Sequence, residues 1–143
     1  MALQFVIQIL RTAGLLLRES RGLFKPYGLT DAQFNVINVL ATQADGVSQR
    51  ELSDILVVDR SNITGLIDRM GQAGLVRRET VPGDRRAYSI RITAKGRRLW
   101  EKVNPIYEAA VIAAVKPLSV AKVKGAIEAL RVFERSAPYV SHR

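Results

Sequence analysis

Arginine and lysine are concentrated in one part of this chain, residues 59 to 98. This basic stretch holds 10 of the 22 basic residues and 4 of the 13 acidic ones, so it carries +6 of a total net charge of +9. Guanidinium and ammonium groups bind phosphate oxygens, and a basic block within folded structure is typical of a protein that docks on nucleic acid. The alternative is the solvated face of a basic protein.

The basic stretch begins with a predicted helix that has two different faces. Asp59 is its candidate N-cap and Gly74 its stop. At 100° per residue the apolar side chains share one face, and the opposite face is polar. The apolar face consists of Ile63, Leu66, Ile67 and Met70. The polar face consists of Ser61, Thr64, Gly65, Asp68 and Arg69. A helix in the DNA major groove needs small polar residues in its first half, because bulky side chains would hold it away from the base edges. We therefore predict base contacts from Ser61, Asn62, Thr64 and Gly65, and phosphate contacts from Arg60 and Arg69.

Gly65 and Asp68 each need an explanation. A glycine inside a helix costs about 1 kcal/mol relative to alanine. Gly65 either allows close approach to DNA or packs closely against a neighbouring helix. DNA would repel the Asp68 carboxylate, so we expect Asp68 to hold an arginine in place rather than contact a base.

A β-hairpin with an arginine-bearing tip is predicted after this helix. The apolar period changes from about four to two in residues 76 to 81 and 88 to 93, on either side of Pro82-Gly83-Asp84. Arg85 and Arg86 lie next to that turn. A narrow minor groove concentrates negative potential and accepts an arginine. The alternative is a solvated charged turn.

Five more helices are predicted around these elements. A long helix over residues 2 to 24 ends near Lys25-Pro26, because the residue before proline is disfavoured in a helix. Capping boxes at Thr30–Gln33 and Ser48–Glu51 begin the next two. Their predicted inward residues are Phe34, Ile37, Val39 and Leu40, then Leu52, Ile55 and Leu56. Only Val57 and Val58 separate the third helix from Asp59, which indicates a helix-turn-helix.

Two closing helices complete the prediction. The first follows Thr93 and contains Pro105, which predicts a kink near Asn104. The second follows Pro117-Leu118-Ser119. The first and last helices of the chain are apolar over most of their length, and an apolar patch of that size marks an interface. We therefore predict a homodimer.

Composition excludes several classes of function. At 143 residues the chain fits one domain, residues 1–143, with or without an oligomerisation arm. It has no cysteine, which removes thiol redox sensing and thiolate zinc sites and fits the cytoplasm. No apolar run is long enough to span a membrane, and we expect no signal peptide. The only histidine is His142, and no phosphate loop, metal-ligand spacing or nucleophile motif occurs, so we expect no enzyme, cofactor or metal.

The order of these elements resembles the MarR family of bacterial transcriptional regulators over about residues 2 to 137. The matching segments are YGLTDAQFNVINVLA, SQRELSDILVVDRSNITGLIDRMGQAGLVRRE and PGDRRAYSIRITAKGRRL, followed by the two closing helices. The resemblance implies a mainly α fold with a small β-wing (α+β). Residues 30–98 would form a winged helix-turn-helix core, flanked by dimerisation helices in residues 1–25 and 99–143. It also implies that Arg86 enters the minor groove, that Asp84 orients it, and that Arg85 contacts the DNA backbone.

The resemblance implies a function as well. It is a transcriptional regulator, taken as a repressor, that binds double-stranded DNA at an inverted-repeat operator as a homodimer. A small aromatic or anionic effector would release it. The alternative is an architectural or constitutive winged-helix DNA-binding protein without an effector. Six aromatic residues are effector-pocket candidates by type alone, but at helical spacing they fit an ordinary core and we assign none: Phe5, Phe24, Tyr27, Phe34, Trp100 and Tyr107.

Overall fold

The computed structural model describes residues 1–56, 60–81 and 84–136, and the side chains of residues 60 and 84–87 lie outside this description. The chain divides into two compact units, Met1–Tyr107 and Glu108–Arg143. Six α-helices and three strands are described: α1 (Ala2–Phe24), α2 (Asp31–Ala41), β1 (Val47–Ser48), α3 (Gln49–Leu56), α4 (Arg60–Gln72), β2 (Val76–Val81), β3 (Asp84–Ile92), α5 (Ala94–Val115) and α6 (Val120–Ser136). The mainly helical fold with a small antiparallel sheet is as predicted.

Local sequence signals determine where the first helices begin and end. A 3₁₀ turn over Lys25–Tyr27, with Pro26 in it, follows α1. The Thr30 hydroxyl accepts from the Gln33 backbone N–H at 3.2 Å, and Gln33 accepts from the Thr30 N–H at 2.9 Å. Ser48 and Glu51 exchange the same two bonds, at 3.2 and 2.8 Å. Both predicted capping boxes are therefore confirmed.

The sheet has the order β1-β3-β2, with antiparallel pairing throughout. The hairpin of β2 and β3 was predicted, but β1 was not. Its two residues pair Val47 with Ile90 and Ser48 with Ser89. Within the hairpin the register shifts, so that Thr80 pairs with Tyr88 and Val81 with Asp84. Strand β3 therefore begins at Asp84, four residues closer to the turn than the predicted start at residue 88.

The core of the first unit lies between α1, α2, α3, α4, the sheet and the start of α5. Its largest fully buried side chains are Phe24, Phe34, Ile37, Leu40, Leu52, Ile63, Ile67, Met70 and Ile90. Phe24 and Phe34 stack with ring centroids 4.3 Å apart, and the Tyr107 ring lies 4.9 Å from that of Phe34. These aromatic rings pack against each other, as the core interpretation of the aromatic residues predicts.

One predicted core position needs correction. Ile55 was placed inward but is 53% exposed. The buried face of α3 includes Ser53, whose hydroxyl donates to the Arg50 carbonyl at 2.7 Å. That face is therefore rotated away from position 55. In α2, Val39 is half-buried and packs against the core as predicted, and Val36, which was not predicted to point inward, is fully buried.

A junction of hydrogen bonds joins α4, the hairpin and α5. Gly74 adopts φ 72°, and the Leu75 N–H donates to the Met70 carbonyl at 2.9 Å, which ends α4 as predicted. The Thr93 hydroxyl donates to the Gly74 carbonyl at 2.6 Å and accepts from the Gly96 N–H at 3.0 Å, which begins α5. A Cβ at Gly96 would press on the Leu75 carbonyl oxygen. These bonds between residues 74–75 and 93–96 therefore fix the base of the hairpin to the end of α4. The predicted kink at Pro105 remains a prediction.

Candidate nucleic-acid interface

Helix α4 has the two faces that its sequence predicts. Ile63, Ile67 and Met70 are buried in the core. Ser61, Asn62 and Thr64 are exposed on the other side of the helix, together with Asp68 and Arg69. Packing of the apolar face thus leaves the small polar side chains on one accessible surface.

Gly65 lies on this polar surface and is half-buried. Among the described residues, a Cβ added there would meet only the Arg69 side chain, with Nη1 at 3.3 Å. Packing against a neighbouring helix, the alternative explanation for this glycine, finds no support in the described part of the chain. A larger side chain at position 65 would project from the polar surface.

Asp68 binds an arginine, as the sequence predicted. Its Oδ1 lies 2.6 Å from Arg78 Nη1, which joins α4 to β2. Arg78 Nη2 also donates to Gln49 Oε1 at 3.5 Å, and Gln49 Nε2 donates to the Thr64 hydroxyl oxygen. We call these four residues, Gln49, Thr64, Asp68 and Arg78, the interface bridge. Gln49 and Arg78 were not predicted from the sequence, because no local spacing relates positions 49, 64 and 78.

Several other basic side chains of the basic stretch have partners within the protein. Arg77 Nη2 lies 2.7 Å from Glu79 Oε1, and Arg91 Nε lies 2.8 Å from Glu79 Oε2, the latter without hydrogen-bond alignment. Lys95 Nζ donates to the Ala73 carbonyl at 2.7 Å. The Arg97 guanidinium donates to the Ala41 carbonyl at 3.4 Å. With Arg78, five basic residues of the stretch have such partners in the described part of the chain, so the net charge overstates the number of side chains that are free to bind phosphates.

Four of the predicted DNA-binding residues have side chains outside the described part of the chain. Asp84, Arg85 and Arg86 belong to β3, and Arg60 begins α4. Their roles at the minor groove and the backbone remain predictions.

A cavity of about 890 Å³ lies behind the inner face of α4. Its apolar lining includes Leu17 of α1, Leu29, Leu56 of α3 and Leu66 of α4. Its charged lining consists of Arg21, Lys25 and Asp31, with Arg21 Nε 3.5 Å from Asp31 Oδ2. None of the six aromatic candidates is among the described lining residues.

The described residues contain neither a metal-ligand cluster nor a membrane-spanning helix. Across residues 1–56, 60–81 and 84–136 there is no group of three or more His, Cys, Asp or Glu side chains arranged to hold a metal ion. In the same ranges, no helix combines the length and apolar character needed to cross a membrane.

Helices α3 and α4, three residues apart, followed by an antiparallel hairpin, define a winged-helix protein. Residues 27–87 match the family model described as MarR family. The transcriptional activatory protein BadR of Rhodopseudomonas palustris is 33% identical over 103 residues, which are 71% of this chain and 59% of that protein. The chain belongs to the MarR family of transcriptional regulators.

Solved structures of transcriptional regulators have a similar fold over most of the chain. CouR from Rhodococcus jostii RHA1, bound to p-coumaroyl-CoA, is 28% identical with a TM-score of 0.83, covering 94% of this chain and 92% of that one. MOSR of M. tuberculosis, in complex with DNA, is 25% identical with a TM-score of 0.76, covering 93% and 97%. This chain spans about three fifths of the length of the curated relatives it matches. Those relatives are transcriptional regulators, not enzymes.

Proposed function

We propose that this chain is a sequence-specific DNA-binding regulator of transcription. It binds an inverted-repeat operator as a homodimer, acts as a repressor, and is released by a small aromatic or anionic molecule. The observation that carries the proposal is the exposed surface of α4, where Ser61, Asn62 and Thr64 lie beside Gly65 and opposite a buried apolar face. Small polar side chains on a well-anchored helix are what base-edge recognition in the major groove requires.

The homodimer is supported by apolar side chains that the described chain leaves exposed. Leu10 of α1 is 67% exposed and Ile112 of α5 is 68% exposed. Further exposed apolar residues lie on α1 and α6, among them Leu3, Ile7, Leu16, Val120 and Ile127. A second copy of the chain would cover such surface, and a two-fold dimer presents two recognition helices to two half-sites.

The effector is supported by the cavity behind α4. Its volume is in the range that holds small molecules. Leucines would bind an aromatic ring, and Arg21 and Lys25 would attract an anionic group. Because Leu66 belongs to α4, a ligand in this cavity would press on the recognition helix from behind. CouR, with p-coumaroyl-CoA bound, shows the chemistry of one such ligand in a related fold.

The proposal is tested with three wing variants, each measured at two salt concentrations. The DNA is an operator selected from a random duplex library and a duplex of random sequence. Arg86→Ala should cost roughly 1–3 kcal/mol in operator binding and reduce the preference for A·T-rich flanks, where the minor groove is narrow. Asp84→Ala should weaken operator binding in the same way as Arg86→Ala but by less. Charge alone predicts the opposite sign, because removal of an acid near DNA would strengthen binding. Arg85→Ala should weaken all duplexes alike and lower the salt slope by about one ion.

Three results would contradict the proposal, two for the wing and one for the wild-type protein. In the first, Asp84→Ala binds the operator more tightly than wild type, and in the second, Arg86→Ala loses the same affinity whatever the flanking sequence. Either result would show that the wing is only a charged loop near the DNA backbone. A wild-type protein that binds operator and random duplex equally would be an architectural protein. Release of the operator by p-coumarate or its coenzyme A thioester, with random-DNA binding as the control, tests the effector.

A further inference from the structure

The interface bridge joins three separate elements at the polar surface of α4. Gln49 is the first residue of α3, Thr64 and Asp68 are one turn apart on α4, and Arg78 lies in β2. The Arg78 side chain reaches Asp68 with Nη1 at 2.6 Å and Gln49 with Nη2 at 3.5 Å. The planar guanidinium thus contacts two elements with its two terminal nitrogens.

Gln49 has little freedom to turn within this arrangement. Its Nε2 donates to the Thr64 hydroxyl oxygen and its Oε1 accepts from Arg78. An amide flip would place the Gln49 NH₂ donor against the Arg78 guanidinium, which can only donate, whereas the Thr64 hydroxyl could bond either end of the amide. The contact with Arg78 therefore sets the orientation of the amide. The amide therefore holds Thr64, one of the predicted base-contacting residues, in a defined position relative to β2.

The bridge also changes the charge of the surface. Asp68 is about half exposed on the side of α4 that is predicted to meet DNA, and Arg78 neutralises it. A single exposed ion pair contributes little to folding stability, because solvent screens it. Its expected effect is therefore on the geometry and charge of the DNA-binding surface.

We propose that Gln49 and Arg78 are positioning residues that set the DNA-sequence specificity of this protein. They fix Thr64 on the recognition helix and hold the wing strand β2 at a set distance from it, so that helix and wing engage their two grooves together. This inference rests on the proposed function, since it assumes that α4 binds DNA.

The test compares two arginines that are neighbours in β2. Arg78→Ala and Arg77→Ala each remove one positive charge, but Arg77 pairs with Glu79 and lies outside the bridge. Both variants should lose affinity for random duplex, Arg78→Ala somewhat more because it leaves Asp68 without its partner, whereas Glu79 keeps Arg91 in Arg77→Ala. Arg78→Ala should in addition lower the ratio of operator to random-duplex affinity by about tenfold, the order expected when one oriented side chain no longer reads its base. Arg77→Ala should leave that ratio near the wild-type value.

Two further variants separate positioning from charge. Gln49→Ala changes no charge, so it should lower the same ratio while the affinity for random duplex and the salt slope stay unchanged. Arg78→Lys should recover part of the ratio, because one ammonium group can pair with Asp68 but cannot form the fork that also reaches Gln49. Thermal unfolding near that of the wild type would show that the variants are folded.

The outcomes distinguish the two proposals. Suppose that wild type prefers its operator. The bridge would then be overturned, and the proposed function left intact, if Gln49→Ala had the wild-type ratio or if the two arginine variants had equal ratios. Wild type without any operator preference would overturn both.

Discussion

At the scale of single residues, Gly65 gives the clearest separation of stability from DNA binding. A Cβ at this position meets only the flexible Arg69 side chain. Gly65→Ala should therefore raise the free energy of unfolding by about 0.5–1 kcal/mol, through helix propensity and a less flexible unfolded chain. Its effect on operator binding should be small. Gly65→Leu should also fold stably, but its side chain would hold α4 away from the groove and cost on the order of 1–3 kcal/mol for each base that α4 no longer reaches.

Denaturant unfolding and DNA titration on the two variants check this prediction. Operator binding by Gly65→Leu at wild-type affinity would show that this surface of α4 does not enter the groove. A loss of stability in Gly65→Ala would show instead that the glycine is required by packing.

The partner of Asp68 illustrates how far residue-level inference from sequence extends. Because the Asp68 carboxylate lies on the surface that is predicted to bind DNA, the sequence predicted that this carboxylate would bind an arginine. Its identity as Arg78 could not be predicted, because positions 68 and 78 are related only through the packing of β2 beside α4. The same applies to Gln49 and Thr64, which are 15 residues apart.

At the scale of elements, the capping box that begins α3 predicts a dependence on pH. Hydrogen bonds from the Ser48 side chain and then from its backbone N–H hold the pKa of the Glu51 carboxyl below its ordinary value of 4.5. A carboxyl with a lowered pKa in the folded state stabilises the fold above its unfolded-state pKa, and this contribution disappears as pH falls through the folded-state pKa. Glu51→Gln keeps an acceptor but has no charge to titrate.

The difference in unfolding free energy between wild type and Glu51→Gln should therefore be constant from pH 7 to about pH 5 and shrink below the ordinary carboxyl pKa. Denaturant titrations at a series of pH values measure it, and Glu101→Gln on α5 controls for the removal of a surface carboxylate. A difference that does not change with pH would show that the ionised form of Glu51 has no special role in the cap.

Sequence predicted those elements whose signals are local. Capping boxes begin α2 and α3, a glycine with positive φ ends α4, and the change of period locates the hairpin. The strand β1 has two residues, too few for an alternating pattern, and exists because β3 offers it an edge. Ile55 was misplaced because a helix of 8 residues contains too few apolar positions to fix its buried face.

At the scale of the whole molecule, the net charge of +9 overstates the charge that is available to bind DNA phosphates. The described partners of Arg77, Arg78, Arg91, Lys95 and Arg97 show that much of the basic stretch also organises the hairpin and the helix ends. Side chains with protein partners at their guanidinium or ammonium groups release fewer counterions on binding. We therefore expect the DNA specificity of this surface to depend on how these charges are held as well as on their number.

The exposed apolar residues of the long helices predict the assembly of the molecule. We expect wild type to be a dimer at micromolar concentration, because Leu10, Ile112 and their apolar neighbours have no cover within the described chain. Ile112→Asp should raise the dimer dissociation constant by about tenfold or more, since it would bury an unpaired carboxylate. It should weaken binding to a duplex with two half-sites more than to a duplex with one.

Ile55→Asp is the matched control, because Ile55 is also an exposed isoleucine, at 53%, but lies on the short helix α3. Sedimentation equilibrium over a range of concentrations measures both variants. Isolated apolar side chains on a surface are ordinary and need no partner, whereas many exposed apolar side chains along one long helix mark an interface. Ile55→Asp should consequently leave the dimer unchanged. A well-folded wild-type monomer would contradict the prediction, and it would require the two half-sites of an operator to be bound independently.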